Sequence, residues 1–512
     1  MRRWLLASIV MLTASLSARA DVKLNPLFTD FMVLQQGIAC PVWGTATPNE
    51  AIEVKLEPVK AGEGESAAVK GTADDKGNWI IKLPKLKASL NSYTLSIQGK
   101  NTVALKDVLI GEVWICSGQS NMEMTLNGCS NAQEAIAKSA NPMLRLFTVQ
   151  KATSIEPKTE VVGKWAPSNP QTSPSFSGVG YYFGRDLQAA LKVPVGLIHT
   201  SWGGTPAQAW TSQEALATKS ELKGYVLDIP TLKKQYRMAA ENYLTNLEKY
   251  TAVAKEQLAT TGQLPQPPVP PQQPGSGQPS TLYNAMIAPL VPYGIAGAIW
   301  YQGESNAGAA YQYRTLFNTM IEDWRKQWAQ GDFPFLCVQL APFMKIQKEP
   351  MESQWAELRE SQWLATKRLK NVGMAVITDA GDETDIHPKK KEPAGVRLAL
   401  AARAIGYGEK IEFAGPEYKS VKFENGKAIL SFDHTEGGLD PRGGELIGFT
   451  IAGKDKKFYN ATAEIKDDTI IVTAPEVKEP AAVRYGWANF PVVNLWNKAG
   501  LPATPFRTDM PE

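Results

Sequence analysis

Three histidines in 512 residues, His199, His387 and His434, narrow the search for chemistry. Zinc and nickel sites usually gather several His or Cys side chains at short spacing. No such cluster occurs here, so metal-assisted hydrolysis is not expected. A lone histidine is suited instead to taking the proton of a serine hydroxyl. Four polar, glycine-containing segments offer it partners: Ser117-Gly118-Gln119-Ser120-Asn121-Met122, Thr200-Ser201-Trp202-Gly203-Gly204-Thr205, Gln302-Gly303-Glu304-Ser305-Asn306, and the stretch from Asp379 to Pro388.

Each segment directly follows an apolar run, at 108–116, 194–199, 294–301 and 372–378, and a fifth run lies at 335–340. Runs apolar on both faces, separated by helical stretches, read as central strands of a parallel sheet covered by helices. Sites in such sheets collect outside the carboxyl ends of the strands, where all four segments fall. The types fit acyl transfer. Ser120 on a tight turn is the candidate nucleophile, with Gly118 leaving room for the turn. His387 is the candidate base, and Asp385 or Asp382 the carboxylate that orients it. An oxyanion needs fixed donors, for which the Ser120 and Gly204 amides and the Gln302 side chain are available. Asn121, Trp202, Glu304 and Asn306 stand in the same segments as candidate substrate contacts, with Glu304 equally suited to orienting its loop. Trp210, Trp300 and Trp355 lie near the motifs and could stack on a sugar or fill the core. His199, ending an apolar run, reads as structural, and His434, beside Gly437 and Gly438, as a surface residue.

The elements that must hold these groups read as three blocks. Residues 21–108 look all-β, with short strand-like runs between turn signals, as in a sandwich or jelly roll. Residues 109–409 carry the α/β pattern, with 221–280 as an insertion: a helix over about 231–259, then a Pro-rich surface stretch over 264–280. Residues 410–512 turn β again. Residues 1–20 read as a signal peptide: Arg2 and Arg3, a short apolar run, then Ala18-Arg19-Ala20. The expectation is an exported protein, periplasmic or secreted, with no membrane insertion after cleavage. A net charge of +3 with dispersed Lys and Arg excludes a nucleic-acid footprint, and Lys389-Lys390-Lys391 reads as a solvated helix start. The four cysteines make no disulfide framework; Cys116 and Cys337 read as buried thiols.

At these motifs the chain resembles the sialate O-acetylesterase family within the SGNH-type hydrolases. The matching stretches are 111–124 (GEVWICSGQSNMEM), 195–210 (VGLIHTSWGGTPAQAW), 282–306 (LYNAMIAPLVPYGIAGAIWYQGESN), 355–362 (WAELRESQ), 385–400 (DIHPKKKEPAGVRLAL) and 483–508. The resemblance implies a flavodoxin-like α/β domain flanked by N- and C-terminal all-β domains. It implies Ser120 as nucleophile, His387 as base and an oxyanion hole from Ser120, Gly204 and Gln302. Many SGNH hydrolases place the acid three residues before the histidine, where this chain has Thr384, so Asp385 is preferred over Asp382, with a bare Ser–His dyad as the alternative. No cofactor is implied, nor is a nucleotide fingerprint present. The implied partner is an acetylated carbohydrate, either sialic acid or a hemicellulose-derived oligosaccharide such as xylan or xyloglucan fragments. A sialate pocket needs a cation, for which Arg359 and Arg397 are candidates. The rival classes are a non-catalytic carbohydrate-binding protein, which would not need Ser120 and His387, and a lipase, which would carry an apolar lid where 221–280 is polar.

Overall fold

In the computed structural model, which describes residues 21–60, 62–272 and 274–510, one 17-residue strand, β1 (Thr102–Gly118), joins two architectures. From Thr102 to Asp107 exposed and half-buried residues alternate. From Val108 to Gly118 every residue is buried. Alternation marks a sheet with one wet face, and a continuous apolar run marks a sheet covered on both. The first half of β1 accordingly pairs antiparallel with Ser89–Gln98, which continues through Ala51–Pro58 to Ala67–Thr72. A second sheet, Lys23–Leu24, Cys40–Thr45 and Asn78–Leu83, accompanies it. The change of pattern at 108 is therefore real, but the chain passes through it inside one strand.

The second half of β1 is the centre of a sheet built with β2 (Asn141–Thr148), β3 (Val195–Ser201), β4 (Gly297–Tyr301), β5 (Phe335–Val338) and β6 (Val372–Ala375). The order is β2-β3-β1-β4-β5-β6, all pairs parallel. Trp165–Ser168 adds an antiparallel edge beside β2, making the sheet mixed where a parallel one was expected. β2 shows no unbroken apolar run in the sequence because Pro142 and Arg145 interrupt it. Arg145 is buried by donating to the Pro142 carbonyl (2.7 Å) and pairing with Asp107 (3.1 Å).

Alternate residues of the central strands feed two cores. Val113, Ile115, Ala298, Trp300, Phe335 and Cys337 pack with Tyr313, Phe317 and Trp324 of helix Ala310–Trp328 and with Leu358 of helix Gln354–Arg368. Trp114, Cys116, Ile299, Tyr301, Leu336 and Val338 pack with Tyr182, Phe183 and Leu187 of helix Gly178–Leu191 and with Leu398 of α1 (Glu392–Ala401). Each face thus holds a row of buried side chains that tolerates no polar insertion, which forces the strand ends to carry the chemistry.

The 33-residue helix Ile229–Thr261 is capped by Asp228 and ends at Gly262. Ala254 is its one buried residue, and the Pro-rich stretch follows. The last hundred residues form further β-sheets with their own core around Leu430, Ile451, Ile470 and Val483. All four cysteines are free and buried. The expected signal peptide, 1–20, lies outside the described residues. Among the described residues no helix is long and apolar enough to cross a membrane.

Candidate active site

The carboxyl end of β1 turns sharply because Gly118 permits it. Its φ is +139°, and a Cβ there would stand 2.1 Å from the Tyr301 carbonyl oxygen, so no side chain fits. The same carbonyl accepts the Gln119 N–H (3.0 Å), and the Gly118 carbonyl accepts the Trp202 N–H (3.1 Å). The ends of β1, β3 and β4 are thereby locked together. Half-buried Ser120 sits at the head of a four-residue helix, Ser120–Glu123.

His387 comes from the loop after β6 and places Nε2 2.8 Å from Ser120 Oγ. That loop is held at its root by Asp379, which takes a two-pronged bond from Arg397 (2.6 and 3.0 Å). The two candidate acids do different things. Asp382 Oδ1 accepts the Thr384 N–H (2.8 Å), the Thr384 hydroxyl (2.9 Å) and the Asp385 N–H (3.0 Å), so it builds the turn. The Thr384 and Asp385 donors hold its carboxyl below the usual carboxylate range. Asp385 Oδ1 accepts the His387 N–H (2.8 Å) and lies 3.5 Å from Nδ1, the separation of an ion pair rather than a tight hydrogen bond.

On the other side of Ser120, the Gly203–Gly204 turn rides close over the serine: a Cβ on Gly203 would lie 3.2 Å from Ser120 Cβ. Gly204 has φ +72° and open space around it. Among the described residues neither the Ser120 nor the Gly204 N–H has an acceptor elsewhere in the chain. Glu123 fixes this turn, taking the Gly203 N–H on Oε2 (2.5 Å) and pairing through Oε1 with Lys151, whose ammonium lies 5.3 Å from the centre of the half-buried Trp202 ring.

The remaining candidates sit deeper than the sequence suggests. Gln302 is wholly buried. Its amide donates to Asn306 Oδ1 (2.7 Å) and the Thr205 carbonyl (3.4 Å) and accepts from the Tyr313 hydroxyl (3.0 Å), so its donors brace the Gly204 loop and do not face Ser120. Asn306 also accepts the Ala207 N–H (2.8 Å) and donates to Gln208 (3.0 Å). Asn121 is wholly buried and bonded to Glu304 Oε1 (2.5 Å), the Ile386 carbonyl (3.0 Å) and Lys391 Nζ. Of the four expected substrate contacts, Asn121 and Asn306 are interior braces, Glu304 is half-buried with Oε2 sealed, and Trp202 is half-buried with Lys151 over its ring. Trp210, Trp300 and Trp355 are core residues. Arg359 is fully buried on the carbonyls of Leu340, Ala488 and Asn489, joining the segment after β5 to a loop of the C-terminal region. Lys391 corrects the solvated-helix-start reading of 389–391: it is 1% exposed. A run of three lysines carries no local mark of which one turns inward.

His199 is buried, its Nε2 2.6 Å from Ser201 Oγ, and burial pushes its pKa down to about 4. His434 is only partly exposed, bonded through Nδ1 to Glu412 (2.8 Å), where a plain surface residue was expected.

A family model described as carbohydrate esterase, sialic acid-specific acetylesterase matches residues 110–259 and 272–403, more than half of the chain. The sialate O-acetylesterase of Mus musculus is 29% identical over 465 residues, covering 83% of this chain and 81% of that protein. That of Homo sapiens is 29% identical over 458 residues, covering 83% and 79%. The crystal structure of a carbohydrate acetylesterase from Xanthomonas citri superposes with a TM-score of 0.80 at 36% identity, over 95% of this chain and 99% of that one.

Proposed function

The chain belongs to the sialic acid-specific acetylesterase family of carbohydrate esterases and is a carboxylic ester hydrolase, and from that premise we propose that it is an exported serine esterase that frees O-acetyl groups from sugars through an acyl-enzyme on Ser120. The observation that carries this reading is the 2.8 Å approach of His387 Nε2 to Ser120 Oγ at the carboxyl edge of the sheet.

In the proposed reaction Ser120 Oγ bonds to the acetyl carbon while its proton passes to His387 Nε2. The Ser120 and Gly204 N–H groups receive the oxyanion, and Asp385 steadies the imidazolium. Collapse breaks the bond to the sugar oxygen, which leaves with the proton from Nε2. Water then gives its proton to Nε2 as its oxygen bonds to the acetyl carbon, and collapse breaks the bond to Ser120 Oγ, which takes the proton back from Nε2 as acetate leaves. The strand order β3-β1-β4-β5-β6, second-first-third-fourth-fifth along the chain without β2, supports the flavodoxin-like description of this SGNH-type fold. Export rests on the signal-peptide pattern of residues 1–20.

The names of the curated relatives favour sialate as the sugar. A second reading, acetylated hemicellulose fragments, is favoured by the commitment of Arg359 and Arg397 to internal partners, which leaves neither to meet a sialate carboxylate. Acetate release by wild type and Ser120→Ala from acetylated sialic acid and from acetylated xylo-oligosaccharides tests both parts. Loss of release in the variant supports the nucleophile, and the preferred substrate names the sugar. A variant as active as wild type would remove Ser120 from the reaction.

A further inference from the structure

Beneath Ser120 lies a polar contact that acyl transfer itself does not use. The Asn121 amide faces two ways: Nδ2 donates to Glu304 Oε1 and the Ile386 carbonyl, and Oδ1 accepts from Lys391 Nζ. The contact thus joins three segments: the turn after β1, which carries Asn121, the turn after β4, which carries Glu304, and the loop and helix start after β6, which carry Ile386 and Lys391. Ile386 immediately precedes His387, and Lys391 immediately precedes α1. Asn121 therefore ties the serine's own turn to both sides of the histidine loop.

This arrangement is costly. An ammonium taken out of water must be repaid by close partners. Burial pushes Lys391 down to about 8 while the charge of Glu304 pulls it back up. Burial likewise raises Glu304, whose Oε2 is sealed with no hydrogen-bond partner among the described residues. The ammonium also stands 5.4 Å from the centre of the Tyr301 ring, on the residue whose carbonyl shapes the turn at Gly118. Asn121 and Lys391 are buried, so neither is placed to touch substrate.

We infer that Lys391, acting through Asn121 together with Glu304, is a positioning residue that sets the approach of His387 to Ser120 by pinning the histidine loop to the nucleophile turn. The inference rests on the Ser120–His387 reading. A misplacement of about 1 Å between reacting groups costs on the order of 100-fold in rate, so a brace at this point acts on kcat and leaves substrate affinity nearly untouched.

Hydrolysis of 4-nitrophenyl acetate by Lys391→Met, Glu304→Gln, their double variant and Ser120→Ala, with thermal unfolding alongside, tests it. Lys391→Met is expected to lower kcat on the order of 100-fold with KM within about threefold. The double variant should lose no more than the worse single one, because both act through Asn121. Wild-type kcat in Lys391→Met, or single losses that multiply in the double variant, would overturn the role. Should Lys391→Met not fold, Glu304→Gln alone decides: kcat falls with KM held, or the role is wrong. An inactive Ser120→Ala beside a fully active Lys391→Met removes the positioning role alone, whereas an active Ser120→Ala removes the reading of the site as well.

Discussion

Among the described residues two serine–histidine pairs of nearly equal closeness occur, and in the proposed reaction only one of them acts. Ser120 and His387 meet at 2.8 Å, Ser201 and His199 at 2.6 Å. The first pair is half-exposed, with a carboxylate 3.5 Å from Nδ1, and among the described residues the N–H groups of Ser120 and of Gly204 in the neighbouring turn have no acceptor. The second is buried at the end of β3, Nδ1 has no hydrogen-bond partner among the described residues, and burial disfavours the imidazolium that the proposed reaction requires. Proximity thus supplies neither a base nor a nucleophile. In the proposed reaction, access for the ester and stabilisation of the charge that develops are what separate the two pairs.

The largest test of that contrast is replacement of each serine. Ser120→Ala is expected to cost about 10³-fold or more in kcat. Ser201→Ala should stay within about threefold, since it removes only an interior hydrogen bond. A sharper cut compares the two acids. Asp385→Asn should lower kcat on the order of 100-fold with little change in KM, less than a tightly bonded triad acid would cost, because the 3.5 Å contact is long and half-exposed. Asp382→Ala, which disturbs the turn only, should cost less than about tenfold.

Next comes stability against pH. His199 is held at about 4 in the fold against 6.5 when unfolded, so the unfolded chain binds the extra proton. Its contribution is complete above about pH 6.5 and drains as pH falls toward 4. From pH 7 to pH 5 this is about 2 kcal/mol. Denaturant unfolding of His199→Gln should lack that part of the acid sensitivity; an unchanged slope would show the imidazole to be solvated. The smallest effect is expected at Trp202, where Ala should raise KM for an acetylated oligosaccharide by a few-fold, the scale of one stacking contact.

Much of this was legible in the sequence because buried strands leave an unbroken apolar record and their ends must then carry what the core excludes. The runs leading to Ser120, Gly204 and Gln302 are interior strands of one sheet, and the run leading to His387, expected to be central as well, is its edge strand. β2 left no such record, since Pro142 and the buried Arg145 break it. The direction of polar side chains was also hidden. Asn121, Gln302 and Asn306 sit in the motifs beside Ser120 and Gly204, yet their amides point into the interior, and nothing in a residue's type tells which way it faces. Lys391 is hidden for the same reason, since the two lysines before it are exposed while it is buried.

The central claim, that Ser120 becomes acylated with His387 as its base, is tested most directly by covalent capture. A fluorophosphonate is incubated with wild type, His387→Ala and Ser201→Ala, and the labelled peptide is identified by mass spectrometry. The account predicts one adduct on Ser120, lost or greatly slowed in His387→Ala and unchanged in Ser201→Ala. An adduct elsewhere, or labelling of Ser120 that does not depend on His387, would contradict it.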